Sequence, residues 1–160
     1  MTPGRERDRD PAGRPRNARS RDALGRPLPR GVAGFAPYDD PALPPDQALE
    51  TAQRLIDEGR PFTAHEVLEA VWKQTDGEER ELWRGLAQLA VGITHLLRGN
   101  QSGSAALLRR AAEHLGGFAG SSPYGVPVDR LRAWALAPTG APPPLVGSGS
   151  RRPQPRPLDE

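Results

Sequence analysis

The sequence contains no cysteine, which excludes a disulfide framework, a thiolate nucleophile and any cysteine-ligated zinc or iron–sulfur centre among its 160 residues. It has no apolar stretch approaching the roughly 20 residues that a membrane-spanning helix needs. No apolar segment follows the arginine-rich N-terminus, as it would in a secretory signal. These absences predict a cytoplasmic protein without a membrane span.

The basic charge is concentrated at the N-terminus, although the whole chain carries a formal net charge of only +2. Residues 1–34 hold nine arginines against four acidic residues, whereas residues 35–138 hold ten basic against fourteen acidic residues. The N-terminal stretch has too few large apolar side chains to offset the entropy of ordering its backbone. We therefore predict disordered tails at residues 1–41 and 139–160, flanking a helical domain at residues 42–138.

The N-terminal tail contains a near-repeat, in which Arg9–Pro15 is followed twelve residues later by the similar Arg21–Pro27. Two copies are too few for a solenoid. An arginine-rich tail of this kind can dock on an acidic protein partner. It can also contact phosphates, but no aromatic residue precedes Phe35 for base stacking and the helical domain is acidic. The sequence therefore argues against nucleic acid as the partner.

The hydrophobic residues between positions 44 and 137 have helical spacing throughout, with no alternating pattern long enough for a strand. Thr63 and Glu66 fit a capping box, which predicts that the second helix begins at Thr63. The third helix carries no charged residue from Gly85 to Leu97, as expected at the centre of a bundle. Gly85 and Gly92 would allow a neighbouring helix to approach closely. The sequence predicts an all-α fold, a single compact bundle of about five helices near residues 45–58, 63–74, 78–98, 104–115 and 127–137.

One polar pair on the second helix is a candidate for chemistry. On a helical wheel His65 and Glu69 are neighbours at i and i+4, at the edge of the buried face and beside Trp72. A carboxylate beside an imidazole can orient the ring and raise its basicity, as in a general base. His65 and Glu69 are therefore candidate catalytic residues. The structural alternative is a hydrogen bond that holds the second helix against the third.

The same two side chains can also bind a divalent metal ion from one face of the helix. A metal site needs at least three protein groups, and His95 on the third helix is the candidate third ligand. Gln88 lies seven residues before His95 on the same helix face. The predicted binding residues are thus His65, Glu69, Trp72, Gln88 and His95.

The segment Phe62–Trp72 resembles the signature of the domain of unknown function 309 family, which is summarised as H-x-x-x-E-x-x-W. His65, Glu69 and Trp72 occupy its three defined positions. The residues after it, GLAQLA from Gly85 onward and the two helices around Arg98-Gly99-Asn100, are also similar to that family. The resemblance implies a small helical domain with a shared site at the His and the Glu, and it supplies no activity.

Two functions from different classes follow from these observations. The first is a polar His/Glu site on the second helix that binds a metal or performs acid/base chemistry. The second is a non-catalytic helical interaction module that contacts a protein through its arginine-rich tail. Bound metal and a solvent-reachable cleft would favour the first, and loss of a partner on removal of residues 1–34 would favour the second.

Overall fold

The computed structural model describes residues 20–29 and 31–147, and this part of the chain forms an all-α fold. The described residues contain no strand, only isolated bridges that join Arg21 to Pro27 and to Phe35. Within the same residues, no helix is both long enough and apolar enough to cross a membrane. Five α-helices are present there, and the predicted fold class is confirmed: Pro45–Asp57 (α1), Pro61–Gln74 (α2), Glu79–Leu97 (α3), Gln101–Leu115 (α4) and Val128–Leu136 (α5).

The central helix of the bundle is α3, which packs against both α2 and α4. Gly92 allows α4 to approach closely, because a Cβ at this position would lie only 2.5 Å from Cδ2 of Leu108. The Ser104 hydroxyl, buried in the same contact, donates to the Gly92 carbonyl oxygen at 2.9 Å. The close helix approach predicted from the glycines is present.

Apolar side chains from all five helices meet in one core. Trp83 is fully buried and Trp134 is nearly so, whereas Trp72 packs at the edge of the core and is only partly buried. The bulkiest of the fully buried side chains come from all five helices and from the segment that follows α5: Trp83, Leu49, Leu68, Leu82, Leu86, Leu89, Leu108, Leu115, Leu131 and Leu145.

The predicted start of α2 at Thr63 is wrong by two residues. The helix begins at Pro61, and Arg60 precedes it without any side-chain capping hydrogen bond. Proline suits the first helical position because its fixed φ matches the helix and its missing N–H is not needed there. Thr63 therefore lies inside the first turn, and the capping box with Glu66 does not form. This displacement frees the Glu66 carboxylate for a different contact.

Described parts of both predicted tails contact the helices. The Arg98 guanidinium donates through Nε to the Leu24 carbonyl oxygen at 2.9 Å. The backbone N–H of Leu145 donates to Oε1 of Gln53 at 2.7 Å, and the Leu145 side chain is 1% exposed. Most of the residues predicted to be disordered, 1–19 and 148–160, lie outside the described part of the chain. The domain boundaries at residues 42 and 138 stay predictions.

Candidate functional site

The structure brings His65 and Glu69 together on the first turns of α2. The Nε2 atom of His65 lies 2.8 Å from Oε2 of Glu69, and their side chains are 20% and 27% exposed. This is the i, i+4 neighbour relation expected on one helix face. The two groups therefore form a hydrogen-bonded pair at the surface of the bundle rather than inside its core.

Lys73 extends this pair by one further helical turn. Its Nζ atom lies 2.7 Å from Oε1 of Glu69, so both carboxylate oxygens of Glu69 face a cationic or hydrogen-bonding group. The hydrogen bond from His65 is the main cause that lowers the pKa of Glu69 to about 2, and Lys73 acts in the same direction against the effect of burial. Glu69 is therefore an ionised carboxylate at any pH near neutrality.

An ionised Glu69 determines where the proton on His65 sits. The ring nitrogen that faces a carboxylate at 2.8 Å must carry a hydrogen, because two lone pairs would repel each other. In a neutral imidazole the proton is then on Nε2, and Nδ1 is an acceptor. This Nδ1 atom is buried and has no hydrogen-bond partner among the described residues. The Phe62 ring packs beside it, with the two ring centroids 5.4 Å apart.

The His65–Glu69 pair lies in the wall of a pocket of about 480 Å³. α2 forms one side of this pocket, and the segment that precedes α1 forms the other. The pocket carries more acidic than basic groups, since four carboxylates face one lysine and one histidine. Its lining residues are Tyr38, Asp39, Asp40, Pro41, Ala42, Phe62, His65, Glu66, Glu69, Ala70, Lys73 and Gln74.

Glu66 also lines the pocket, although the sequence pattern predicts a capping role for it. Its Oε2 atom accepts a hydrogen bond from the backbone N–H of Tyr38 at 3.1 Å, which joins the segment before α1 to α2. Burial raises the pKa of the Glu66 carboxyl above its usual value, and the Tyr38 N–H partly offsets this effect. The only feature of the sequence that indicated a site role for Glu66 is its position next to His65. The capping-box pattern explained the same residue in another way.

Trp72 lies seven residues after His65 on α2 and faces α3 rather than the pocket. The guanidinium groups of Arg80 and Arg84 lie 5.3 and 5.6 Å from its ring centroid. Its Nε1 atom is buried and has no hydrogen-bond partner in the described part of the chain. Gln88 lies one turn beyond Arg84 on α3. Its Oε1 atom is likewise buried, with no hydrogen-bond partner among the described residues. These two predicted binding residues therefore lie along the α2–α3 contact.

His95 makes a separate contact at the end of α3, where its Nδ1 atom lies 3.0 Å from Nδ2 of Asn100. Among residues 20–29 and 31–147, no three or more His, Asp or Glu side chains are grouped so that they could hold a metal ion. The structure therefore brings His65 and Glu69 together, but it does not place His95 with them as a third ligand. The assignment of catalytic, binding and metal-ligating roles to these residues stays a prediction.

Residues 49–107 of the chain match the model of the family described as Domain of unknown function (DUF309). No curated protein and no solved structure matches the chain significantly. The matched segment runs from α1 into α4 and includes the whole of α2 and α3. The H-x-x-x-E-x-x-W signature itself stays a prediction from the sequence. Over residues 49–107 the chain is therefore similar to the DUF309 family, whose function is unknown.

Proposed function

We propose that the pocket beside α2 binds a polar small molecule and that His65, held by Glu69, is its acid/base group. The observation that carries this proposal is the 2.8 Å contact between Nε2 of His65 and Oε2 of Glu69 in the pocket wall. A carboxylate that fixes an imidazole by one nitrogen sets its tautomer and orientation. With Nε2 donating to Glu69, the ring atom left for a ligand is the unprotonated Nδ1, which would act as the proton acceptor.

Lys73 and Glu66 support this role from the same helix. Lys73 holds the second oxygen of Glu69, so that the carboxylate keeps its orientation towards His65. Glu66 offers a carboxyl whose pKa is raised by burial, while the pKa of Glu69 is lowered. Two carboxylates whose environments move their pKa values apart can take different protonation states in one pocket, a feature of acid/base sites.

A metal-binding role has less support from the geometry than acid/base chemistry. His65 and Glu69 supply two of the at least three protein groups that such a site needs. Within the described residues no third carboxylate or imidazole joins them in a group suited to a metal ion. The proposed function therefore uses the pair for proton exchange and hydrogen bonding.

Ligand-observed NMR with the full chain tests this proposal. A set of polar fragments bearing hydroxyl, amine or carboxyl groups is screened against the wild-type chain and against His65→Gln and Glu69→Gln. The chain offers a matched control, since His114 and Glu81 form another histidine–carboxylate pair, with Nδ1 2.5 Å from Oε2 and outside the pocket lining. The variants His114→Gln and Glu81→Gln alter that pair, and Glu81→Gln also removes an ion pair of 3.9 Å with Arg84. None of these residues lines the pocket.

We expect fragments that bind the wild-type chain and both control variants, and that lose binding in His65→Gln and in Glu69→Gln. Such a pattern locates the ligand at this pair. Fragments that bind all five proteins equally, or the absence of any fragment that depends on His65, would overturn the proposal and leave the pair with the structural role of joining two turns of α2.

A further inference from the structure

The N-terminal tail forms a self-contained turn between Asp22 and Gly25. The Gly25 N–H donates to the Asp22 carbonyl oxygen at 3.0 Å, which closes the turn. Oδ1 of Asp22 accepts from the backbone N–H groups of Leu24 and Arg26, at 3.0 and 2.8 Å. Aspartate at the first position and glycine at the fourth are the residues that such a turn favours. The local sequence therefore specifies this conformation.

The turn docks on α2 and α3 through three groups. Gly25 has a φ of +76° and lies so close to the Phe62 ring that a Cβ would overlap it. The Arg21 guanidinium lies 5.1 Å from the centroid of the same ring and donates to the Gly25 carbonyl oxygen. The Arg98 guanidinium holds the Leu24 carbonyl oxygen from α3. The groups of the turn that contact the helices are thus a glycine, an arginine side chain and a backbone carbonyl.

The sequence supplies these groups a second time, twelve residues earlier. Residues Arg9, Asp10, Gly13, Arg14 and Pro15 are identical to their counterparts in the segment Arg21–Pro27. The two differences lie at the central positions of the turn, where proline and alanine replace Ala23 and Leu24. Proline is favoured at the second position of such a turn, and the backbone carbonyl of the third position remains. The three contacting groups described above, the glycine, the arginine and the backbone carbonyl, are therefore present in the first copy.

We propose that the surface formed by Phe62 and Arg98 is a docking site for an Arg-Asp-x-x-Gly-Arg-Pro turn, which residues 9–15 of the same chain can occupy in place of residues 21–27. Residues 9–15 belong to the same chain and end six residues before the docked copy begins, so docking of either copy is intramolecular and occurs at a high effective concentration. The proposal concerns an interaction surface and does not depend on the proposed function of the pocket.

The glycines provide the test, because only glycine readily adopts the required φ and leaves room for the Phe62 ring. The full chain is prepared as wild type, Gly13→Ala, Gly25→Ala and the double variant. NMR then follows the Phe62 ring and the Nε–H group of Arg98, with circular dichroism as the check of folding. We expect signals close to wild type in both single variants, and a joint shift of both signals in the double variant.

A synthetic peptide of residues 7–17 gives a second measurement that does not depend on the stability of any variant. Added in excess to the wild-type chain, it should displace the second copy and shift the Gly25 amide signal. A peptide carrying Gly13→Ala should bind at least about tenfold more weakly, because alanine disfavours the left-handed φ and overlaps Phe62.

Two outcomes would overturn the proposal. One is a full shift of the Phe62 and Arg98 signals in Gly25→Ala alone, combined with no difference between the two peptides. The other is a Gly25→Ala chain whose signals depend on protein concentration, since this would mean that the first copy docks on another molecule and not on its own.

Discussion

Glu66 and Glu69 are three residues apart on α2, yet their surroundings move the pKa values of their carboxyl groups in opposite directions. Glu69 accepts a hydrogen bond from His65 and contacts Lys73, which lowers its pKa to about 2. Burial raises the pKa of the Glu66 carboxyl, and the hydrogen bond from the Tyr38 N–H offsets this effect only in part. The residue that prefers to be charged is the one that holds the histidine.

The lowered pKa of Glu69 predicts a specific part of the acid sensitivity of the chain. A carboxyl whose pKa is lower in the folded state stabilises the fold above its unfolded pKa, near 4.5, and loses this contribution as the pH falls towards 2. Glu69→Gln should reduce the free energy of unfolding by about 1–3 kcal/mol at pH 7. The difference from wild type should shrink between about pH 4.5 and 2, as measured by urea denaturation across this range.

Glu81→Gln is the control for this prediction, because Glu81 also contacts a histidine but its side chain is 48% exposed. Exposed ion pairs contribute little to stability, so we expect a smaller effect there. An effect of Glu69→Gln that does not change between neutral and acidic pH would show that the loss comes from packing and not from the charge.

The residues of the polar pair could be predicted from the sequence, whereas the wall opposite them could not. His65 and Glu69 are neighbours in any helix that contains both. Tyr38 reaches Glu66 from 28 residues earlier in the chain, through a backbone N–H that carries no signature in the sequence. A contact of this kind depends on how the segment before α1 folds back on the bundle, which local patterns do not encode.

At the level of the helices, hydrophobic spacing predicted each of the five elements, and the largest errors lie at the first residues of α2 and α4. The start of α2 moved because Pro61 begins the helix two residues before the expected cap. The predicted start of α4, residue 104, was also late, because the Asn100 side chain caps Gln101–Leu115 by accepting from the Gly103 N–H at 3.1 Å. Burial of a whole face decides where a helix lies, and one or two side chains decide where it begins.

The contact between α3 and α4 depends on the absence of a side chain at position 92. Gly92→Ala would place a Cβ 2.5 Å from Cδ2 of Leu108. Overpacking of this kind typically costs about 1–3 kcal/mol, so the variant should unfold at lower urea concentration than wild type. Gly117→Ala is the matched control, since nothing lies within 4 Å of a Cβ at this position. Equal midpoints for the two variants would show that α4 shifts to accommodate the methyl group.

For the whole molecule, the unexpected feature is how the described part of the N-terminal tail packs on the bundle. The Arg60 guanidinium lies 3.8 Å from the ring centroid of Phe35, and Arg21 and Phe35 exchange backbone hydrogen bonds of 2.8 Å. These contacts use arginine, glycine and backbone groups, so the segment shows no hydrophobic periodicity. A composition that predicts disorder is therefore compatible with docking on a folded neighbour.

Two truncated proteins can distinguish the contribution of the docked segment to stability from a role of the tail in binding a protein partner. Removal of residues 2–34 deletes the contacts of Leu24 and Gly25 with α2 and α3, whereas removal of residues 2–18 retains them. If these contacts contribute about 1–3 kcal/mol, the longer truncation should lower Tm by about 4–8 °C for each kcal/mol lost. The shorter one should melt like the full chain.

The melting temperatures of the two truncated proteins are also needed to interpret a pull-down of partner proteins with each of them. A partner that is lost only with the longer truncation would be explained by damage to the docked segment and to Phe62, which also packs against His65. A partner that is lost with the shorter truncation, at an unchanged Tm, would depend on the arginines of the first 18 residues themselves. Equal melting of all three proteins would contradict a stabilising role for the docked segment, because the hydrogen bond from Arg98 to Leu24 would then contribute nothing measurable to the fold.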